Sequence, residues 1–267
     1  TESVKPHLQE SGRKRAYVII SDALRYEAAQ ELHQRLQGEY RMDAELEAML
    51  GVVPSYTALG MASLLPHDDL DYSASGDVLV DGKSSAGTPA RNAHLSAAVE
   101  GMACQASDLL PMTTADARKF TDGSRVIYIY HNIIDARGDN AATENQAFEA
   151  VEQCLEEITD LVKLCMNKLN AAKVWVTADH GFLYQQEPPS SVDRSGLGHI
   201  PEHVVKSKKR YVIGDNLGDV PPAHHGSTTV TAGMGRGMDF WVPRGANRFH
   251  FTGGAKFVHG GAMPQEV

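Results

Sequence analysis

Carboxylate and imidazole side chains follow three apolar segments of this chain, at the points where each segment ends. The segments span residues 16–21, 125–131 and 174–178. The polar residues that come after them are Asp22, Asp135, Asp139, Asp179 and His180. Carboxylate oxygens and imidazole nitrogens are ligands for divalent ions such as Mg²⁺, Mn²⁺ and Zn²⁺. The spacing therefore indicates an enzyme built around metal ions.

A hydroxyl group lies within reach of the same chemistry. Thr57 comes after the loop of residues 51–56, at the predicted start of a helix. A hydroxyl at a helix start meets free backbone N–H groups and the positive end of the helix dipole. Coordination to a metal would lower its pKa and make it a nucleophile. Carboxylates at three strand ends plus one hydroxyl suit a two-metal hydrolase that acts on a phosphoryl group. Ser55 is the alternative nucleophile.

The three apolar segments are predicted to be buried strands of one sheet. In an open α/β sheet, ligands collect outside the carboxyl ends of parallel strands. Helical periodicity falls between the strands, over residues 24–36, 58–65, 88–100 and 143–169. This alternation predicts an α/β fold with a mostly parallel central sheet flanked by helices on both faces.

Other segments give weaker signals. Residues 42–50 fit either a strand or a short helix, and residues 67–89 indicate an irregular excursion with one strand at 77–80. Residues 188–222 are rich in proline, glycine and charge around one strand at 211–214, and the basic run 206–210 fits a solvated loop. Short β-prone pieces then lie between glycines. They span residues 228–231, 240–242 and 249–251, and they predict a small β-rich cap in the C-terminal third.

Composition limits the class of protein. A net charge of −9 argues against a protein that holds nucleic acid mainly by bulk charge, but not against a nucleic-acid substrate, because bound metals supply local positive charge. The 3 cysteines fit no zinc knuckle and indicate a reducing, cytoplasmic environment. Without a signal peptide or a membrane-length apolar run, we expect no membrane association. The chain lacks an initial Met, so we expect one domain over residues 1–267, excised from a longer protein.

These motifs, in this order, resemble the alkaline phosphatase superfamily. The resemblance rests on four motifs. They are Asp22 after a strand, Pro-Ser-Tyr-Thr at 54–57 at the start of a helix, Asp-Ala-Arg-Gly-Asp at 135–139 and Ala-Asp-His-Gly at 178–181. Within the superfamily, residues 18–27 and the late Val-His-Gly-Gly at 258–261 are similar to the PglZ domain of BREX-type phage-defence systems and some response regulators. The motifs span residues 17–261.

The resemblance implies two metal sites. One divalent ion (zinc, manganese or magnesium) would be held by Asp22, Asp179 and His180, with Thr57 as its nucleophilic ligand. The other would be held by Asp135, Asp139 and His259. Two glycines follow His259 in the sequence, and they favour this histidine over three others as the metal ligand from the C-terminal part of the chain. The competitors are His224, His225 and His250.

The chain departs from the superfamily pattern at Asp139. Phosphodiesterase members usually have His four residues after the aspartate of this motif. Replacing imidazole by carboxylate hardens the site and should favour manganese or magnesium over zinc. The sulfatase branch needs a Cys/Ser-x-Pro-x-Arg pattern, which does not occur near Ser55, so the sequence argues against a sulfatase.

The resulting hypothesis is a metal-dependent phosphodiesterase or nuclease that acts in bacterial defence against phage. Its partners would be a phosphodiester or nucleic-acid substrate and other defence-system proteins. A phosphomonoesterase is one alternative, and a catalytically weak metal-binding scaffold that recruits other defence proteins is another. Arg25, Arg91 and Lys83 are either phosphate contacts or ordinary surface residues. His131 is expected to support the third motif from behind or to pack locally.

Overall fold

A computed structural model describes residues 15–38, 40–187, 189–250, 252 and 256–267 of the chain. The helices in these ranges are α1 (Tyr26–Gly38), α2 (Thr57–Ser63), α3 (Gly87–Ala98), α4 (Ala106–Leu109), α5 (Thr114–Phe120), α6 (Ile134–Gly138), α7 (Ala147–Lys168) and α8 (Thr228–Thr231). The strands are β1 (Arg15–Ser21), β2 (Leu70–Tyr72), β3 (Val78–Val80), β4 (Lys83–Ser84), β5 (Gly101–Gln105), β6 (Val126–His131), β7 (Ala171–Thr177), β8 (Leu183–Tyr184), β9 (Val204–Ser207), β10 (Val212–Gly214), β11 (Ala223–Ser227), β12 (Asp239–Pro243) and β13 (Phe257–Val258).

A parallel sheet in the order β5-β6-β1-β7 forms the centre of the fold. Both of its faces are covered. Val18 and Ile20 of β1 point into one hydrophobic core, while Tyr17 and Ile19 point into the other. A strand buried on both faces must be apolar at every position, because alternate side chains point to opposite faces. This explains the uninterrupted apolar runs in the sequence.

Helix α7 covers one face of the sheet along most of its length. Its apolar side chains recur at helical spacing and are buried against the core that contains Tyr17 and Ile19. They are Ala147, Ala150, Cys154, Leu155, Ile158, Leu161, Val162 and Cys165. The other face is covered by α2 and by residues of the smaller antiparallel sheets.

The C-terminal third forms antiparallel sheets, in agreement with the expected β-rich cap. One sheet has the order β11-β12-β10-β9, and β8 pairs with β13 in a second. A third antiparallel sheet, β2-β3-β4, lies within the excursion at residues 67–89. The structure thus confirms the predicted fold class of a parallel sheet flanked by helices with a small β-rich part.

Several local predictions were wrong. Residues 42–50 form neither a strand nor a helix. Residues 228–231 form helix α8 rather than a strand, because the Thr228 side chain and backbone bond repeatedly to Met238 and turn the chain there. The excursion at 67–89 contains three strands instead of one. The long helix α7 begins at Ala147, four residues later than predicted.

Other elements were not predicted. Strand β5, at the edge of the parallel sheet, and helices α4 and α5 lie in a region for which the sequence indicated nothing. The predicted piece at 249–251 is not a strand at Phe249 or His250, and Phe251 lies outside the described residues. A strand forms later, at β13, where its two residues pair with β8.

The register of the parallel sheet brings the functional motifs to one edge. Ser21 is opposite His131 of β6, and Ile20 is opposite Thr177 of β7. The residues that follow these three strand ends therefore meet at the carboxyl edge of the sheet. The pairing of these strands therefore brings the motifs together at one edge of the sheet, as expected.

Helix α2 approaches this edge closely through a glycine. A Cβ atom on Gly60 would lie 2.9 Å from the carbonyl carbon of Asp179. Real Cβ atoms do not approach backbone atoms so closely, so only glycine lets the helix lie directly on the Asp179 backbone. Because Thr57 begins the same helix, this contact also sets the distance between Thr57 and the end of β7.

No helix within the described residues is long and apolar enough to cross a membrane.

Gly60→Ala should push helix α2 away from Asp179 and destabilise the protein. Overpacking of this kind typically costs about 1–3 kcal/mol of unfolding free energy. Gly38→Ala is the matched control, because a Cβ there meets nothing within 4 Å. Chemical denaturation of both variants measures the effect. Equal stability of the two variants would show that the close approach of α2 is not needed.

Candidate metal centre

Three buried side chains form the first ligand group at the carboxyl edge of the sheet. They are Asp22, Asp179 and His180, each at most 4% exposed. The Nε2 atom of His180 lies 3.4 Å from Asp22 Oδ1 and 3.4 Å from Asp179 Oδ2. The ligand atoms of the group lie within 4.8 Å of one another. Asp22 comes directly after β1, and Asp179 and His180 come shortly after β7, so the parallel pairing of β1 with β7 places them together.

The orientation of the His180 ring is set by its other nitrogen. Nδ1 lies 2.8 Å from the Gly181 carbonyl oxygen, which can only accept a hydrogen bond. Nδ1 therefore carries the proton in the neutral ring, and Nε2 presents a lone pair to the two carboxylates. A backbone carbonyl bound to the distal nitrogen is the usual support for a metal-binding histidine.

The group consists of acceptors that lack donors. Asp22 Oδ1 and Asp179 Oδ2 are buried and make no hydrogen bond within the described chain. The other oxygen of Asp179 accepts a hydrogen bond of 3.3 Å from the Ala23 backbone N–H. Buried polar atoms are almost always paired, so two unpaired carboxylate oxygens facing an imidazole lone pair make this group a candidate site for a cation.

The pKa values of the three residues are shifted by their burial. Burial raises the pKa of Asp22 to about 10, and the charges of Asp179 and Asp135 add to the rise. Burial also raises the pKa of Asp179 to about 7, although the Ala23 backbone N–H opposes it. For His180, burial lowers the pKa to about 4 and so favours the neutral ring. Burial thus disfavours the charged form of all three residues.

Thr57 lies next to this group. It is the first residue of α2, and its Oγ1 is 2.9 Å from His180 Nε2. Because Nε2 is unprotonated, the Thr57 hydroxyl donates this hydrogen bond. Ser55, the alternative nucleophile, is buried and donates its hydroxyl to the Gly261 carbonyl at 2.9 Å. The geometry therefore directs the hydroxyl of Thr57, rather than that of Ser55, to the ligand atoms.

A second ligand group lies beside the first. Asp135, His259 and His180 place one ligand atom each within 4.8 Å of one another. His259 Nε2 is 3.6 Å from Asp135 Oδ1, and the rings of His259 and His180 stack in parallel with centroids 4.2 Å apart. Burial raises the pKa of Asp135 and lowers that of His259 to about 4. His180 thus belongs to both groups.

Asp139 is not part of either group. It is exposed at the end of α6, where its backbone N–H bonds to the Asp135 carbonyl at 2.9 Å. Its charge still reaches the site, since it is among the causes that raise the pKa of Asp135. The structure therefore brings together Asp22, Asp135, Asp179, His180, His259 and Thr57, and it leaves Asp139 at the rim.

The competing histidines lie elsewhere. His224 is exposed on β11. His225 contacts Asp219 at 3.2 Å and Asp239 at 3.5 Å. His250 has a pKa that burial and the nearby charges of Lys209 and Arg194 lower. Of the four late histidines, His259 is the one beside Asp135.

The candidate phosphate contacts differ in position. Arg91 of α3 lies over the Tyr130 ring at 4.7 Å, and its positive charge counters the rise in the pKa of Asp22 and of Asp179. Arg25 forms an ion pair with Glu27, and Lys83 is exposed on β4. Arg91 is therefore the one of these three cations whose charge acts on the first ligand group.

His131 bonds to the first motif rather than to the third, and its ring packs locally, which is the second of its two expected roles. Its backbone carbonyl accepts the Asp22 N–H at 2.8 Å. Its ring is buried between the Ser21 hydroxyl at 3.2 Å and Glu157 at 3.2 Å. Cys154 completes this cluster, but burial raises the pKa of its thiol to about 12, so the thiol is not a nucleophile.

A buried ion pair near the site was missed. Arg210 ends the basic run at 206–210, which the sequence indicated to be a solvated loop, yet Arg210 is wholly buried and paired with Glu266. Near the end of the chain, Glu266 carries no local motif. Only a contact between residues far apart in sequence identifies the pair, so no local pattern could have shown it.

Comparison with known proteins supports the family assignment and the fold. Residues 1–267 match the model of the BREX system PglZ alkaline phosphatase-like domain. The chain is 47% identical over 268 residues to the alkaline phosphatase-like protein BrxZ of Escherichia coli O9:H4 (strain HS), covering 100% of this chain and 31% of the relative. It is 41% identical over 256 residues to the alkaline phosphatase-like protein PglZ of Bacillus cereus (strain H3081.97), covering 95% of this chain and 30% of that relative. The chain thus spans about a third of the length of these curated relatives.

Solved structures agree on the fold alone. Murine ectonucleotide pyrophosphatase/phosphodiesterase 5 superposes with a TM-score of 0.59 at 9% sequence identity, covering 95% of this chain and 86% of that chain. An inactive threonine-to-alanine variant of the same murine protein, in complex with AMP, gives the same TM-score of 0.59. The fold is therefore alkaline phosphatase-like. From the match over its whole length and the similarity to BrxZ and PglZ, the chain belongs to the PglZ family of alkaline phosphatase-like domains of BREX systems.

Proposed function

We propose that this domain is a metal-dependent phosphodiesterase that acts on a phosphodiester or nucleic-acid substrate in BREX-type defence against phage. The observation that carries the proposal is the convergence of two unpaired acceptors, Asp22 Oδ1 and Asp179 Oδ2, on His180 Nε2, which accepts its hydrogen bond from the Thr57 hydroxyl. A structural core has no use for such an arrangement, since each unpaired buried acceptor destabilises the fold. A divalent cation would satisfy all of these atoms at once.

The donor set fits two divalent ions. Asp22, Asp179 and His180, with Thr57, would hold one ion. Asp135 and His259 would hold the other, and we include Asp139 because it lies one helical turn beyond Asp135. A set rich in carboxylates with two imidazoles suits manganese, magnesium or zinc. Bound ions of this kind offset the negative charge of a phosphoryl group and lower the pKa of a coordinated hydroxyl or water.

The residues of the chain provide the nucleophile and its placement. The Thr57 hydroxyl would lose its proton to solvent as its oxygen forms a bond to phosphorus and the bond to the leaving alcohol breaks, and the leaving oxygen would take a proton from solvent. Water would then cleave the phosphothreonine, release the phosphomonoester and restore the hydroxyl. Gly60 and the Thr57–His180 hydrogen bond hold the nucleophile at the ligand atoms.

The choice of a diester over a monoester rests on the shared fold. The murine neighbour is named a pyrophosphatase/phosphodiesterase, and its inactive variant is in complex with AMP. We propose that Arg91 faces the substrate phosphate, because its charge already acts on the first ligand group. Since the curated relatives are about three times longer, we propose that the remaining parts of the protein contact other defence proteins.

The two alternatives predict different outcomes in one assay. A phosphomonoesterase should cleave p-nitrophenyl phosphate faster than bis-p-nitrophenyl phosphate, and a metal-binding scaffold should cleave neither although it binds metal. Diester cleavage that is stimulated by Mn²⁺ and abolished by EDTA would support the proposed phosphodiesterase.

Divalent metal should stabilise the folded protein. At a metal concentration 100-fold above Kd, a ligand that binds only the native state adds about 2.7 kcal/mol. In a domain of this size, that corresponds to a rise in Tm of about 5–10 °C. Thermal unfolding with Mn²⁺ and with EDTA measures it. The rise should disappear in the Asp179→Ala/His180→Ala double variant, and an unchanged rise there would remove these residues from the site.

Thr57→Ala should reduce diester turnover by about 10³-fold or more, because the nucleophile is lost. Thr57→Ser should retain part of the activity, since a hydroxyl remains. Ser55→Ala is the matched control, because it removes a buried hydroxyl two residues away that does not face His180. Steady-state kinetics on folded variants test this. Near-normal turnover in Thr57→Ala together with loss in Ser55→Ala would assign the role to Ser55.

Asp22→Asn should stabilise the metal-free protein, increasingly so as pH rises. In the folded state the pKa of Asp22 is about 10, whereas an unfolded aspartate titrates near pH ~3.9. Above that pH the unfolded state releases a proton that the folded state keeps, so stability falls as pH rises. Asparagine cannot ionise, so the gain in Tm should be larger at pH 8 than at pH 5.

Thermal unfolding in EDTA at both pH values measures this difference. Asp81→Asn gives a control of opposite sign, because the Asp69 and Asp68 backbone N–H groups lower the pKa of Asp81. That substitution should destabilise the protein at pH 8. A pH-independent effect of Asp22→Asn would contradict the view that burial of charge destabilises the metal-free site.

A further inference from the structure

The last residues of the chain form a segment that connects the parts of the site. This segment, which we call the tail strap, comprises residues 257–266. Its first residues pair with β8, with Val258 opposite Leu183, three residues after His180. His259 follows at once and stacks on His180. The position of His259 is therefore set by the strand before it and by whatever fixes the residues after it.

A buried ion pair fixes those residues. Arg210 and Glu266 are both 0% exposed, and two parallel bonds join them, from Nε to Oε1 at 2.9 Å and from Nη2 to Oε2 at 2.5 Å. The Glu266 carboxylate also accepts the backbone N–H groups of Gly261 at 3.0 Å and Met263 at 3.2 Å. Four donors thus converge on one carboxylate, which folds the end of the strap back on itself.

The strap contacts the loop that carries His180 and the loop that precedes Thr57. The Glu266 backbone carbonyl accepts the Gly181 N–H at 3.0 Å, directly after His180. The Gly261 carbonyl accepts both the N–H of Ser55 at 3.3 Å and its hydroxyl at 2.9 Å, two residues before Thr57. These bonds tie the nucleophile loop and the His180 loop to a common segment.

Arg210 is itself held in place. Its Nη1 donates to the Gly245 carbonyl at 2.9 Å and to the Asn247 carbonyl. A Cβ on Gly261 would lie 2.9 Å from the guanidinium carbon, so the strap lies directly on the arginine. The β-rich part of the fold therefore provides a rigid anchor for a segment that reaches into the site.

We propose that Arg210 and Glu266 are positioning residues that lock the tail strap and, through it, set the relative positions of Thr57, His180 and His259. Neither residue contacts a ligand atom. Breaking the pair should loosen the nucleophile loop and the His180 loop together, although both lie far from Arg210 in sequence. A pair that only stabilises the β-rich part would leave those loops unchanged.

Hydrogen–deuterium exchange of the metal-free protein under native conditions tests this directly. Glu266→Gln keeps the shape of the side chain but replaces an accepting oxygen by an NH₂ group that faces donors. Exchange should become at least about tenfold faster in peptides that carry the Ser55 and Gly181 amides, as well as in the strap. Unchanged exchange at those two amides beside a loosened strap would overturn the proposal.

Trp241→Phe is the matched control. It removes a buried hydrogen bond of 2.7 Å to the Gly218 carbonyl within the same β-rich part. It should speed exchange near β12 and leave the Ser55 and Gly181 peptides as in the original protein. Should Glu266→Gln fail to fold, Arg210→Lys retains the charge but not the two parallel bonds. It should then raise exchange at the same two amides to a smaller extent, and no rise there would overturn the proposal.

A second measurement links the strap to the ligand groups. Titration with Mn²⁺ should show at least about tenfold weaker binding for Glu266→Gln, and binding within about twofold of the original for Trp241→Phe. Equal affinity of Glu266→Gln and the original protein would contradict a positioning role for the pair. Absence of Mn²⁺ binding by the original protein would overturn the proposed function instead, and the exchange experiment, which uses no metal, would still decide the role of the strap.

Discussion

The pairing of β1 with β7 is the constraint on which the rest of the site depends. Two neighbouring parallel strands end side by side, and the residues that follow them, Asp22 and Asp179, must share one buried space. Like charges in such a space repel each other, and burial opposes ionisation of both. The fold alone does not relieve this conflict, since both carboxylates retain an oxygen without a partner in the described chain.

Features outside the sheet act to hold this unfavourable arrangement in place. The Gly181 carbonyl fixes the ring of His180, the absence of a side chain at Gly60 lets helix α2 lie on Asp179, and His259 of the tail strap stacks on His180. Such local instability is typical of functional sites, where stability is given up for binding or chemistry. The cost is offset by two extensive hydrophobic cores on the faces of the sheet.

The parallel sheet and most of the candidate site could be predicted from the sequence. The degree of burial and the range of the contacts explain both these predictions and the elements that were predicted wrongly or missed. Strands β1 and β6 are buried on both faces and so leave continuous apolar runs, and the residues that follow them could be identified from the sequence. The prediction of a buried strand at 174–178 was wrong in its burial, because β7 is an edge strand with no buried residue, although its apolar run still marked it as a strand. Strand β5 lies at the other edge, and it was missed because it contains no β-branched or aromatic residue. Residues 228–231 have β-branched side chains typical of strands, but bonds from Thr228 to Met238 override that preference. The burial of Arg210 follows from its distant partner Glu266, which local composition cannot reveal.

The distance in sequence between the contacting parts has a consequence for folding. Ser55 bonds to Gly261 across 206 residues, and the strap completes the site from the far end of the domain. Contacts of such high sequence separation require closure of a long loop, whose entropic cost delays their formation. During synthesis, the nucleophile loop and the His180 loop emerge from the ribosome well before Glu266. We therefore expect the nascent chain to have an incomplete site until Glu266 has left the ribosome and the strap can form.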